Sequence, residues 1–304
     1  MMKSDRRNRT MLEQRQWTVR ADTEEQNALS YVQNTLGLSD SDTKTVLKYH
    51  LAGVNHHLLI RDTIIHPGDE LDVSIPDPRP SKDLPEDIPL DILYEDDQIL
   101  VVNKPRFMTV APAPGNWTGT LYNALLARYQ KFYLIHRIDR TTSGCILVGK
   151  NRYIASLLSA SEGSYRPEKT YTALVQGIMD PSGTIDAPIG RDPDNFRRMA
   201  VTNLDSKHAV THYERLQTFQ DACEVRYRIE TGRTHQIRVH SAYLGHPLLG
   251  DTLYGEPCDL LEEQAAMLHA ESITFRHPEK EKEITVTAPL PDDYLNLLEA
   301  LKRQ

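Results

Sequence analysis

An aspartate in the segment HRIDRTTSGCILVGK, residues 136–150, has the neighbours that a catalytic carboxylate needs. Asp139 lies between two arginines and precedes a Thr-Thr-Ser-Gly turn, and the apolar run after the turn predicts a short buried strand. Because Gly tolerates backbone conformations that other residues resist, and Thr and Ser hydroxyls bond to nearby backbone groups, this turn can fix the direction of the carboxylate. The local pattern by itself favours an ion-paired surface aspartate.

The segment EVRYRIETGRTHQIRVH contains the second informative spacing. Apolar residues that alternate with arginines predict a strand over residues 225–229, and a Thr-Gly turn follows it. The apolar stripe after the turn predicts a helix over residues 234–244, which ends at Gly245. This places Arg233 at the turn, where its guanidinium can meet a carboxylate from another part of the chain.

Tyr171 lies in a predicted strand over residues 171–175, on the same face as Ala173 and Val175. A tyrosine ring can stack on a pyrimidine, and its hydroxyl can take part in proton transfer. The alternation alone favours a core residue over a functional one.

Metal binding is not predicted. His235 and His240 are five residues apart, or about 140° around a helix, whereas metal-binding histidines at i and i+4 share a face. Cys145, Cys223 and Cys258 are widely spaced and form no CxxC pair, which argues against a structural zinc site and a disulfide framework.

The composition is that of a globular protein. The 304 residues are 39% hydrophobic and carry a net charge of -8, so a non-selective nucleic-acid coat, which needs a large basic surface, is disfavoured. No apolar run approaches the roughly 20 residues that span a bilayer, and the charged amino terminus does not have the form of a secretory signal. We therefore expect a cytoplasmic monomer that does not bind membranes.

The chain predicts two domains. We expect a flexible tail over residues 1–16, a small domain over residues 17–77, a proline-rich linker over residues 78–90 and a larger domain over residues 91–304. Helices are predicted at residues 28–36, 44–51, 120–129 and 294–301, and another begins after Asn151 as its N-cap.

Taken together, these segments resemble the motifs of the RluA-type pseudouridine synthases. HRIDRTTSG resembles the family motif HRLDxxTSG, KTYTALVQG resembles KxYxAxVxG, and TGRTHQIRVH with the following GHPLLGDTLYG resembles the third motif. NKPRF resembles NKPxG, although Phe107 stands in the place of the glycine. The small domain is similar to the α-L RNA-binding domain, with His56 where a turn glycine is usual.

The resemblance implies an α+β fold, a mixed and mainly antiparallel curved sheet with flanking helices around a central cleft, plus the small amino-terminal α/β RNA-binding-like domain. It implies that the chain isomerises uridine to pseudouridine in structured RNA without a cofactor or metal. Large-subunit ribosomal RNA is the expected substrate, with transfer RNA and a catalytically silent RNA-binding protein as alternatives. The implied catalytic residues are Asp139, Tyr171 and Arg233, and Arg233 is expected to pair with Asp139. The expected RNA contacts are Lys104, Arg137, Arg140, Arg191, Arg197, Arg198, His235, Gln236 and Arg238.

Overall fold

The computed structural model describes residues 13–19, 23–75, 83–160 and 163–303. Its helices are α1 (Ala28–Leu36), α2 (Asp40–Lys48), α3 (Leu121–Arg128), α4 (Arg152–Leu158), α5 (Gln236–Tyr243) and α6 (Asp292–Leu301). Its strands are β1 (Glu13–Thr18), β2 (Gln26–Asn27), β3 (Ala52–Val54), β4 (His57–Leu58), β5 (Ile64–Ile65), β6 (Glu70–Ile75), β7 (Asp91–Glu95), β8 (Ile99–Lys104), β9 (Tyr133–Leu134), β10 (Ser143–Gly149), β11 (Glu168–Gln176), β12 (Ser182–Asp186), β13 (Ile189–Arg191), β14 (Met199–Val201), β15 (Val210–Thr218), β16 (Ala222–Ile229), β17 (Leu268–Arg276) and β18 (Glu283–Thr287).

The helices begin at side-chain caps that the sequence provides. The Asn151 side chain accepts a hydrogen bond from the Ile154 amide and starts α4, as predicted. Helix α2 begins earlier than predicted, because Ser39 and Asp42 form a capping box ahead of the apolar stripe. Helix α5 begins later than predicted, at Gln236.

The part of the chain after residue 84 contains a ten-stranded mixed sheet. Its strands follow the order β12-β15-β16-β11-β17-β10-β8-β7, with β18 paired to β17 and β9 paired to β10. The pairs are antiparallel except for the short parallel pair between β10 and β17. The α+β class and the mainly antiparallel mixed sheet are therefore confirmed.

Strand β10 is buried on both faces, which explains its uninterrupted apolar run. Cys145 and Leu147 pack in the core that contains α4, while Ile146 and Val148 pack in the core that contains α3. A strand covered on both faces is a rigid element. The loop that carries Asp139 runs directly into it.

The small domain has a four-stranded sheet in the order β1-β6-β3-β4, and α1 and α2 share a core with it. Strand β1 starts at Glu13, so part of the predicted tail is a strand. The turn between β3 and β4 has positive φ at Asn55 (50°) and His56 (68°), so His56 adopts the backbone conformation that a glycine would allow.

The chain divides into two compact units. One contains residues 1–84, 112–118 and 190–206, and the other contains residues 85–111, 119–189 and 207–304. Two segments from the predicted larger domain therefore belong with the small domain. Residues 1–12 of the predicted tail and 78–82 of the predicted linker lie outside the described residues. In the described part of the chain, no helix is long and apolar enough to cross a membrane.

Candidate active site

Asp139 lies in the loop between β9 and β10. The Thr142 amide donates to the Asp139 carbonyl at 3.1 Å and closes a turn at this position. The neighbouring Ile138 packs against the apolar cores and anchors the loop from inside. The Asp139 side chain is 26% exposed, so its carboxylate remains open to an incoming molecule while its backbone is held.

Gly144 lets β10 approach β17 closely enough to fix this turn. Its φ is 106°, and a Cβ at this position would overlap the carbonyl group of Ala270 on the parallel partner strand. Next to it, the Ser143 hydroxyl and the His269 Nδ1 atom are 2.9 Å apart in a fully buried contact. The Ser-Gly pair that the sequence singled out thus joins the Asp139 loop to the centre of the sheet.

The cation nearest to Asp139 is Arg238, on the first turn of α5. Its Nη1 atom donates to Asp139 Oδ2 at 3.2 Å. Its Nε and Nη2 atoms donate to the two oxygens of Asp251 at 2.6 and 2.7 Å, and the Asp251 side chain is only 1% exposed. Burial opposes the charge of Arg238, but the hydrogen bonds to Asp251 and the charges of Asp251 and Asp139 outweigh it and raise the pKa of Arg238. Arg238 is therefore a fixed, permanent cation.

The predicted pairing of Arg233 with Asp139 is wrong in this structure. Arg233 Nε donates to the His208 carbonyl at 2.8 Å, and the Arg233 amide donates to the Gln236 side chain. The side chain that reaches Asp139 from the first turn of α5 is that of Arg238.

His235 and Tyr254 complete the surroundings of the carboxylate. His235 Nε2 is 3.9 Å from Asp139 Oδ2, and His235 Nδ1 is 2.7 Å from the Tyr254 hydroxyl. The Tyr254 ring also lies against the Arg238 guanidinium, with 5.0 Å from Cζ to the ring centroid. His235 has a φ of 56°, a conformation that costs a residue with a Cβ about 1–2 kcal/mol. Strain of this kind is typical of functional positions.

The expectation that Lys104 contacts RNA is wrong, because Lys104 is fully buried. Its Nζ donates to the carbonyls of Pro105 (2.8 Å), Met108 (2.7 Å) and Arg140 (3.5 Å). Burial, assisted by the charge of Arg106, lowers the pKa of Lys104 to about 7. Lys104 thus links its own loop to the loop of Asp139.

Arg106 makes a second link between the same two loops. Its Nη1 donates to the Thr141 carbonyl at 2.6 Å and to the Ala266 carbonyl at 2.8 Å, and its Nε pairs with Asp293 at 2.6 Å. Its side chain is 5% exposed. The NKPR stretch therefore positions the backbone on the carboxyl side of Asp139.

Phe107 keeps the path that a glycine would give this loop. Its φ is 66°, so the backbone turns as expected for the family motif despite the side chain. The Arg140 guanidinium lies over the Phe107 ring, with 5.5 Å from Cζ to the centroid. This stacking and the packing of the ring against an apolar core compensate for the backbone strain.

Tyr171 lies on β11, opposite Tyr227 of β16, and is 5% exposed. Burial and the negative charge of Asp139 raise the pKa of Tyr171 far above its usual value. The hydroxyl is therefore protonated at neutral pH and can donate a hydrogen bond. Ile138, which precedes Asp139, packs against the apolar cluster that contains Tyr171, so the two motif segments meet in this cluster.

The remaining predicted RNA contacts have three different environments. Arg137 is exposed next to Asp139, which leaves its predicted role open. Gln236 is 4% exposed and bonds to Val210 and Thr211, so its predicted contact with RNA is wrong. Arg191, Arg197 and Arg198 belong to the compact unit of the small domain.

Sequence reasoning missed Asp251 and Tyr254, although both lie in the segment GHPLLGDTLYG. The signal was an acidic residue followed by an aromatic one within a stretch of turn-forming glycines. Arg106 was missed because a charged residue after NKP reads as a surface residue.

Comparisons with known proteins identify the family of this chain. Residues 98–243 match the family described as RNA pseudouridylate synthase. The chain is 44% identical over 249 residues to the uncharacterized RNA pseudouridine synthase YlyB of Bacillus subtilis. The alignment covers 79% of this chain and 82% of the relative. It is 36% identical over 283 residues to the ribosomal large subunit pseudouridine synthase D of Pasteurella multocida, over 87% of each chain.

A solved structure shows the same relationship. Human RNA Pseudouridylate Synthase Domain Containing 1 aligns with a TM-score of 0.56 and 28% identity, over 71% of this chain and 96% of the human one. The residues that match the family model, 98–243, include Asp139, Tyr171 and Arg238. The chain therefore belongs to the RluA-type pseudouridine synthases, isomerases that convert uridine in RNA to pseudouridine.

Proposed function

We propose that Asp139 is the catalytic carboxylate of this isomerase, that Arg238 is its cationic partner and that ribosomal large-subunit RNA is the substrate. One observation carries the assignment of the site. A partly exposed carboxylate meets one arm of a guanidinium whose other arm is held by a second, buried carboxylate. The arrangement keeps a negative charge accessible and oriented, which is what attack on a sugar or base, or removal of a proton from either, requires.

The reaction conserves all atoms of the nucleotide. The bond between N1 and C1′ breaks, the base turns, C5 bonds to C1′, and C5 loses a proton while N1 gains one. A group that stabilises charge next to C1′ and a group that holds the freed base are therefore sufficient. Asp139, whose carboxylate is partly exposed in the loop between β9 and β10, supplies the group that stabilises charge next to C1′.

Tyr171 supplies the second function. Its ring lies in the apolar cluster next to Ile138, and its protonated hydroxyl is a donor for a base oxygen or nitrogen. The target uridine has to leave the RNA stack to reach this depth. Arg137, exposed beside Asp139, has the position and charge to hold the flanking phosphates.

The choice of substrate rests on relatives. The Pasteurella multocida protein bears the name ribosomal large subunit pseudouridine synthase D, and a relative from Neisseria meningitidis with 39% identity bears the same name. The acidic net charge favours a target chosen by local contacts over a general RNA coat. We therefore place the action of this chain in the cytoplasm, on large-subunit RNA.

Mapping of pseudouridines in total RNA, with and without the gene, tests the substrate. We expect one or a few sites in large-subunit RNA to disappear with the gene and to return with the wild-type gene, but not with Asp139→Asn. Sites lost only from transfer RNA would refute the ribosomal substrate. An unchanged map would favour an RNA-binding protein without catalysis.

A further inference from the structure

Residues 190–206 pack with the amino-terminal domain although they come from the second half of the chain. We infer that the amino-terminal domain braces this segment for RNA binding, and that Arg197 serves the brace and does not contact RNA. The bracing is independent of the proposed function, whereas its use in RNA binding rests on that function.

Backbone hydrogen bonds to the turn between β3 and β4 form the first part of the brace. The Phe196 amide donates to the His56 carbonyl at 3.1 Å. The His57 Nδ1 atom lies 2.6 Å from the Pro193 carbonyl, and a carbonyl can only accept, so this nitrogen is the donor. His56, whose carbonyl accepts the first of these bonds, is one of the two residues with positive φ in this turn.

The Phe196 ring forms the second part. Phe196 is 3% exposed, and a Cβ on Gly53 of β3 would lie 2.5 Å from its ring atoms Cδ1 and Cε1. The missing side chain of Gly53 therefore makes room for the ring. Burial of a phenylalanine against the domain sheet is the largest apolar contribution that this segment can make.

An ion pair forms the third part. Arg197 Nη2 donates to both carboxylate oxygens of Asp72 on β6, at 2.6 and 2.7 Å. The Asp72 side chain is 16% exposed and the Arg197 side chain 39%, so the pair is partly shielded from water. The Arg197 guanidinium also lies over the Phe196 ring, with 5.6 Å from Cζ to the centroid. Arg197 therefore links the segment to β6 of the amino-terminal domain.

The segment carries two further arginines whose partners lie within it. Arg198 is 41% exposed and pairs with Asp192, and Arg191 Nη1 donates to the Phe196 carbonyl. A segment held in one conformation loses less entropy when it binds than a free one does, so bracing raises its affinity without new contacts. The effect should therefore appear in the apparent affinity for RNA and not in the chemical step.

Charge reversal tests the brace in the full-length protein. Asp72→Arg places a like charge opposite Arg197, and we expect amide hydrogen exchange in residues 190–206, measured by mass spectrometry, to become at least about fivefold faster. Exchange in β10 should stay unchanged, which shows that the fold is intact. The matched control is Glu70→Arg, the same charge change at an exposed position of the same strand, and it should leave exchange unchanged.

The RNA part is tested with the same variants on an RNA that the wild type modifies. Asp72→Arg should raise KM at least about fivefold and change kcat less than twofold, because it loosens the segment and leaves the residues around Asp139 intact. The double variant Asp72→Arg with Arg197→Asp restores opposite charges and should recover both exchange rate and KM.

Four outcomes would overturn the inference. Wild-type exchange in Asp72→Arg would refute the brace, and so would equal acceleration by Glu70→Arg. Faster exchange with an unchanged KM would show that bracing does not serve RNA binding. Recovery of the exchange rate without recovery of KM in the double variant would show that Arg197 contacts RNA. Because exchange needs no substrate, an inactive wild type would count against the proposed function and leave the test of the brace valid.

Discussion

Replacement of Arg238 by lysine separates the geometry of this site from a simple requirement for positive charge. Arg238 makes three ionic hydrogen bonds, two to Asp251 and one to Asp139. An ammonium group on the same backbone cannot reproduce the planar fork that serves both carboxylates at once. Because Asp251 is almost completely buried, it should keep the lysine, and Asp139 should lose its partner.

The magnitude follows from the lost bond. A hydrogen bond to a charged group contributes about 1.5–3 kcal/mol, so kcat should fall roughly 10- to 150-fold if this bond acts mainly in the transition state. The assay is tritium release from C5-labelled RNA at saturating RNA, with denaturant unfolding to confirm the fold. The matched control is Arg233→Lys, for which we expect kcat within about threefold of wild type, since Arg233 bonds to the His208 carbonyl and not to Asp139.

Two results would refute this reasoning. If Arg238→Lys keeps kcat within threefold of wild type, the orientation of the guanidinium does not matter. If Arg233→Lys loses as much activity as Arg238→Lys, the pairing expected from the sequence operates in the enzyme and the geometry around Asp139 is misassigned.

Three further predictions concern the surroundings of Asp139. Tyr171→Phe should bind RNA with a KM within twofold of wild type but turn over up to about tenfold more slowly, because a protonated hydroxyl donor is lost; full activity would leave stacking as its only role. Gly144→Ala should lower the free energy of unfolding by about 3 kcal/mol in a urea titration, because the methyl group meets the Ala270 carbonyl, and an unchanged midpoint would contradict the close approach. The pKa of Lys104 is about 7 in the folded protein and 10.5 in the unfolded chain, so the unfolded chain binds more protons between these pH values. The free energy of unfolding of the wild type, relative to that of Lys104→Met, should therefore rise with pH across this window by up to about 1.4 kcal/mol per pH unit. A difference that does not change with pH would contradict the burial of Lys104.

The sequence predicted the elements whose signals are local. Asn151 as an N-cap, the apolar run of β10 and the turn glycine Gly144 act within a few residues, so their patterns could be read directly. The proposed roles of Asp139 and Tyr171 came from motifs that combine such local signals.

The partner of Asp139 could not be read in the same way. Contacts with residues distant in sequence hold the two candidate arginines: Arg238 bonds to Asp251 from a later loop, and Arg233 bonds to the His208 carbonyl. A buried arginine looks like a surface residue in the sequence, because burial of a charge is stable only with a partner that the local pattern does not reveal.

Contacts between residues distant in sequence also determine how the chain divides into two compact units. The segment 190–206 reads as a loop of the larger domain, since its composition is polar and its neighbours in sequence belong there. Phe196 joins it to Gly53, more than a hundred residues earlier, and this contact has no local signature.

Activity of Asp139→Asn tests the central claim most directly, because the amide keeps the size of the side chain and removes its charge. We expect a folded protein that binds the substrate RNA with the affinity of the wild type and forms no pseudouridine, measured by tritium release from C5-labelled RNA. Pseudouridine formation within tenfold of the wild-type rate would contradict it.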